Sequence, residues 1–228
     1  MAFTYFFRDS QTLELLLEQA LPSLRGQAFI RIWDAGCAHG PEPFTLAMLL
    51  REVMSDFVFR NVRIHASDID TQFGPQIAAG IYPEQEVKRI PEPIRRRYFR
   101  PAGAPGHVQV VDEIREKVTF VQHDLLSLKP IREDFSVAVC KNVLLHFDEA
   151  ERRRVFGMFH ESLRPGGFLA TEHTQKMPQP LQALFEPLAS YAQVFRRLDG
   201  PEARAVAHAP HSLPRASTVP QGLKRSHA

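Results

Sequence analysis

The chain has 228 residues, 44% of them apolar, and a formal net charge of +2, which allows one sizeable α/β core. No apolar run reaches spanning length and no signal-peptide pattern opens the chain, so a soluble, cytoplasmic protein without direct membrane insertion is expected. Two cysteines, Cys37 and Cys140, argue against a disulfide scaffold, and because residues 201–228 carry a net +3 the other 200 sum to −1 (24 basic, 25 acidic), which argues against a nucleic-acid binder.

Residues 1–29 read as an aromatic arm ending on Arg8, then a helix. Ser10 is placed to cap that helix over Gln11–Leu21, with Leu13, Leu16, Leu17 and Ala20 on one face, and Pro22 is expected to end it. Ile30–Trp33 is a short apolar strand, Asp34–Gly40 a small-residue turn, and the following helix opens with Pro41 and Pro43, where proline's fixed φ does least harm. Phe44, Ala47, Met48 and Leu50 keep helical spacing. Glycines let backbone approach a ligand and a helix start presents N–H groups. The spacing Asp34-x-Gly36-x-x-x-Gly40 is neither the GxxxxGK[ST] phosphate loop nor GxGxxG. Acids at Asp34 and Glu42 suit a ligand that is cationic or rich in hydroxyls, although an ordinary βα turn reads the same way.

Val62–Ser67 is a second strand ending at Asp68, the position where a carboxylate accepts from ribose hydroxyls; Asp70 is placed to cap a helix over Gln72–Ala79. From Gly80 to Lys117, prolines 91, 93, 101 and 105 interrupt the strand–helix alternation. PEPIRRRYF reads as a short helix, and His107–Val111 as a strand that pairs either with Lys117–Phe120 or with the segment before it. Lys88, Arg89, Arg95, Arg96, Arg97 and Arg100 make segment 88–100 basic: a solvated face, or a docking surface for an acidic protein. Lys117–Gln122 is a third strand. Asp124 and Leu125 just beyond it suit an adenine, the carboxylate accepting from the amino group while leucine packs on the ring. Phe135–Cys140 is the most apolar strand, a central one. Asp148 is placed to cap a helix reaching about Leu163, with Val155, Phe156, Phe159 and Leu163 inward. Arg164–Gly167 reads as a tight turn, Phe168–Glu172 as a strand, and Leu184–Leu188 with Tyr191–Leu198 as a hairpin. Residues 200–228 lose apolar periodicity and read as a disordered tail. His208 and His211 lack further ligands there, so no metal site is expected.

The segments TYFFRD, RIWDAGCAHGPEPFTLAMLL, ASDIDT, GIYPEQEVKRIPEPIRRRYF, CKNVLLHFD and LRPGGFLATEHTQ, in that order, resemble the motifs of the chemotaxis receptor methyltransferases (CheR family), which use S-adenosylmethionine. The resemblance runs from Phe3 to Leu198. It implies an α/β fold: a Rossmann-like methyltransferase sheet flanked by helices over residues 30–199, with a small β-subdomain inserted at about 84–117. By motif, Thr4 and Arg8 match the opening residues that reach the cofactor site. Gly36, Cys37 and Gly40 fall in the glycine turn, and Glu42 matches the second acid of that block. Asp68 matches the ribose-binding acid, Asp124 and Leu125 stand at the adenine, and Asn142 and Val143 match the Asn-Val after the fourth strand. His146 stands where the family has a tyrosine near the methyl group.

The sequence departs from the family at Pro41 (an acid), Lys141 (an arginine), His146 and Glu172–Gln175. Few residues precede the FFR segment, so no counterpart of the family's basic N-terminal helical domain is expected in them. The implied reaction is O-methylation of glutamate carboxylates on a chemoreceptor or related acidic protein, leaving S-adenosylhomocysteine. Arg8 would orient the acceptor carboxylate unless it pairs with Asp9 or Glu42. His146 would line the acceptor pocket, or else be a partly buried residue near the helix start. Cys37 and Cys140 read as small packers rather than nucleophiles. Two other readings stay open: a methyltransferase with a non-receptor or small-molecule acceptor, and a cofactor-binding regulatory module without catalysis.

Overall fold

The computed structural model describes residues 4–172, 176–178 and 181–200. The expectations placed on Phe3, on positions 173–175 and on the tail from 201 lie outside the described residues. Helix α1 (Ser10–Leu24) is followed by β1 (Ile30–Ala35), α2 (Pro41–Val53), the single turn α3 (Asp56–Phe59) and β2 (Val62–Asp68). Then come α4 (Phe73–Ala79), β3 (Ile81–Pro83), α5 (Glu84–Val87), α6 (Glu92–Tyr98), β4 (Phe99–Pro101), β5 (His107–Val110) and α7 (Asp112–Arg115). The chain continues through β6 (Val118–Gln122), β7 (Phe135–Cys140), α8 (Glu149–Ser162), β8 (Leu163–Thr171), β9 (Phe185–Pro187) and β10 (Val194–Arg197).

Seven strands form one sheet in the order β6-β2-β1-β7-β8-β10-β9. The run from β6 to β8 is parallel, and β9 and β10 close the edge as an antiparallel hairpin. β7 is buried at every position, as a parallel strand covered on both faces must be. Alternate residues of β1 go to opposite sides. Ile30 and Ile32 join a core with Leu13, Leu16 and Leu17 of α1 and Phe44 of α2. Trp33 and Ala35 join the other core with Phe156 and Phe159 of α8. Trp33 is fully buried between Phe135 and Phe159, its indole N–H donating to Ser67 Oγ at 2.8 Å.

The segment that breaks alternation forms a separate three-stranded antiparallel sheet, β3-β5-β4. β5 therefore pairs with the strands on either side of the basic helix, not with β6. Tyr82 and Tyr98 are its buried anchors, and Phe6 of the N-terminal arm packs edge-on to Tyr82 (4.9 Å) and Phe99 (5.4 Å).

Three local expectations need correction. Pro22 lies inside α1, because Leu24, fully buried, holds a further turn onto the core; Ser10 is the first helical residue and Asp9, with φ 47°, stands ahead of it without a side-chain cap. Arg164–Gly167 does not precede the last parallel strand but lies within β8, whose pairing to β7 jumps from Phe135–Leu163 to Val137–Phe168, so the extra residues bulge outward. Asp148 does cap α8, as half of a capping box with Glu151, an arrangement worth about 1 kcal/mol.

Candidate functional site

In an open parallel sheet, the crevice lies where the strand order reverses, outside the carboxyl ends. Here that point is between β1 and β7. A cavity of about 570 Å³ sits there, walled by the turns that follow β1, β2, β6 and β7, with the N-terminal arm across one end.

The turn after β1 is bent back over β2, with Gly36 N and Cys37 N both donating to Ser67 O (2.7 and 3.0 Å). Gly36 has φ +84°, and a Cβ there would stand 2.1 Å from Val143 Cγ2, so only glycine lets this turn cross the β7 loop. Gly40 does not line the cavity. It precedes α2 with φ +105°, and a Cβ would strike Tyr82 Oη and Ile77, so it serves close packing of α2 against the small sheet. Tyr82 donates to His39 O at 2.7 Å and anchors the same corner.

Asp68 ends β2 and lines the cavity. Its two oxygens accept from Ala38 N (3.0 Å) and Asp70 N (3.2 Å), so it ties the turn to the strand end as well as facing the pocket. Asp70 accepts from Gln72 N at 2.9 Å, the helix-entry role expected of it. Asp124 caps the short turn Leu125–Ser127 through Leu126 N (2.8 Å), holding Leu125 and Leu126 against the cavity.

At the other end, Thr4 and Arg8 reach the cavity from the arm. Arg8 Nε lies 3.8 Å from Asp9 Oδ2, the local pair weighed from sequence. Phe7 N donates to Thr45 Oγ1 (3.0 Å) and Lys141 Nζ donates to Arg8 O (3.0 Å), which fix the arm to α2 and to the end of β7. Asn142 and Val143 form the β7 loop; Asn142 has φ 60°, and its N–H donates to the buried Glu172 at 3.1 Å. His146 is exposed at the mouth beside Leu145 and Phe147, not partly buried as one reading had it.

Sequence reasoning marked Asp34 and Glu42 as acids of the site but did not pair Glu42 with Lys141. Lys141 and Glu42 form an ion pair at 3.1 Å with side chains only 1% and 11% exposed. Asp34 is fully buried, and neither of its carboxyl oxygens has a hydrogen-bond partner. Burial, then the Glu42 charge, holds the Asp34 carboxyl well above the usual carboxylate range, with Lys141 pulling the other way. Burial raises Glu42 too, with Lys141 pulling the other way. Burial keeps both cysteine thiols protonated, which suits packing and not nucleophilic attack. The signal for this cluster was available: Asp34 stands near the end of the largely apolar strand β1, and Lys141 directly follows the apolar strand β7.

Comparison with known proteins bears on what the cavity holds. Residues 2–193 match the family described as CheR methyltransferase, SAM binding domain. The chain is 35% identical over 179 residues to chemotaxis protein methyltransferase 2 of Vibrio cholerae, an alignment covering 76% of this chain and 62% of that protein. It is 32% identical to the chemotaxis protein methyltransferase of Borreliella burgdorferi (75% and 63% covered) and 33% identical to chemotaxis protein methyltransferase 2 of Pseudomonas aeruginosa (75% and 62%). The chain thus spans a little under two thirds of these relatives. The residues fit S-adenosylmethionine: carboxylates for an ammonium and for ribose hydroxyls, leucines for a base, and a glycine turn that leaves the crevice open. With a matching fold, crevice and family model, the chain belongs to the CheR methyltransferase family, in its S-adenosylmethionine-binding domain.

Proposed function

We propose that this chain methylates carboxylates of an acidic protein, glutamates on a chemoreceptor or a related partner, with S-adenosylmethionine as donor. The observation that carries the reading is the mixed charge of the crevice lining: Glu42, Asp68 and Asp124 from the turns after β1, β2 and β6, with Arg8 of the arm, whose charge Glu42 feels, at the same cavity. The cofactor supplies an electrophilic methyl group on a sulfonium. The acceptor oxygen forms the new bond as the sulfur–carbon bond breaks, and no proton moves. A glutamate with pKa near ~4.3 is already ionised at neutral pH, so the site needs no general base.

Positioning is then the main contribution, on the order of 7–11 kcal/mol in well-oriented reactions. Glu42 takes the ammonium end, Asp68 the ribose, and Asp124 with Leu125 the adenine. Thr4, Cys37, Asn142 and Val143 shape the walls. Arg8 holds the acceptor carboxylate through its planar fork, and His146 lines the acceptor entrance. Segment 88–100 docks the acidic partner. In support, Arg95, Arg96 and Arg100 surround a shallow groove of about 220 Å³ on the small sheet, although Arg97 is tied to Glu52 and Arg100 to backbone carbonyls.

Incubating the protein with radiolabelled cofactor and receptor-containing extract tests this. Base-labile label on a receptor-sized band is expected, and base-stable label would redirect the acceptor assignment. Arg8→Ala should cut turnover at least tenfold with cofactor affinity nearly kept; near-normal turnover would remove Arg8 from the mechanism.

A further inference from the structure

Asp34 is a fully buried group for which the proposed function has no use. Its surroundings are charged from several sides. Glu42 faces it from the first turn of α2, Lys141 from the end of β7 and Asp68 from the end of β2, while the Cys37 and Cys140 thiols, which feel its charge, stay protonated. Two carboxyls thus share one ammonium. Lys141 spends its contacts on Glu42 Oε2 and the Arg8 carbonyl, and both Asp34 oxygens are left without a donor although the group is completely enclosed. An enclosed carboxylate without a cation in contact is far costlier than the neutral acid. The cluster is therefore one positive charge short of accommodating both carboxylates, and it lies directly beneath a cavity lined by Glu42 and Lys141.

We propose that Asp34 makes the pocket selective for a cationic ligand through a proton: the acid is neutral in the free protein and ionises when the cofactor's cationic end arrives, so that binding releases a proton. The proton leaves Asp34 for solvent and no other bond changes. The proposal rests on the reading that S-adenosylmethionine occupies this cavity. By linkage, a ligand whose binding releases a proton binds more tightly as pH rises, by up to tenfold per unit.

Titration calorimetry with S-adenosylmethionine in buffers of differing ionisation heat counts that proton. Above the ordinary carboxyl range, where free model carboxyls are already ionised, the intact protein should release a measurable fraction of a proton, and adenosine, which lacks the cation, close to none. Asp34→Asn should abolish the release and flatten the pH dependence of affinity; Asp34→Ser provides the same comparison should the asparagine fail to fold. Tight, pH-independent binding without proton release by the intact protein would overturn the proposal, as would undiminished release in either variant or release on binding adenosine. Absence of any binding heat would instead overturn the cofactor assignment itself.

Discussion

The molecule carries two concentrations of charge, and they behave as opposites. Beneath the crevice, Asp34, Glu42 and Lys141 are shut away from water, with one ion pair among them and one carboxyl left over. On the small sheet, the basic run of α6 makes its ion pairs in the open: Arg96 with Glu92, side chains 78% and 58% exposed, and Arg97 with Glu52 at 2.9 Å, 48% and 33% exposed. Exposed pairs gain a few tenths of a kcal/mol and are screened by salt; buried ones commit both partners, because losing one strands the other. The first region is therefore built to hold a state, whereas the second gives up little when its pairs break.

The comparison can be broken most severely at Lys141. Lys141→Met should lower stability by about 3–5 kcal/mol, read from denaturant unfolding, by leaving the Glu42 carboxylate enclosed without its cation and releasing the Arg8 carbonyl. Arginine at that position should recover much of the loss.

Asp34 gives a second, smaller effect with a definite sign. Its folded-state pKa is raised above the unfolded value, so the native protein holds a proton that the unfolded chain has already lost. Stability must then fall as pH rises from the ordinary carboxyl range toward the raised value, by at most about 1.4 kcal/mol per unit, and level off above it. Unfolding measured across that range should show this slope in the intact protein and a flatter profile for Asp34→Asn.

The smallest effect belongs to the exposed region. Arg96→Ala should change stability by less than about 0.5 kcal/mol. Under the proposed docking role, the same change should weaken capture of an acidic receptor fragment at low salt and make little difference at high salt, which surface-plasmon measurements at two ionic strengths would show.

What was legible in the sequence followed from local chemistry. Strand cores, the Asp148 cap and the acid ending β2 each follow from residue type and position, and the interruption of alternation after Gly80 marked the inserted sheet. The misreadings share a cause: tertiary contacts overrode a local rule. Pro22 was expected to stop α1, but burial of Leu24 carries the helix past it. Gly40 read as a ligand-facing glycine, yet its missing side chain makes room for Tyr82 and Ile77. The bulge in β8 has glycines that look like a turn, and only pairing with β7 shows that the strand resumes in the same sheet. Lys141 was visible as a substitution, but its contacts with Glu42 and the Arg8 carbonyl join residues 99 and 133 positions away.

The hydrogen bond that Lys141 makes in the arm goes to a main-chain oxygen, so it survives any replacement of the residue that owns that oxygen. Guanidinium chemistry and loop anchorage at position 8 are consequently separable by genetics: one codon changes the first, a codon far downstream changes the second, and a protein carrying either change alone reports which of them turnover requires under the proposed function.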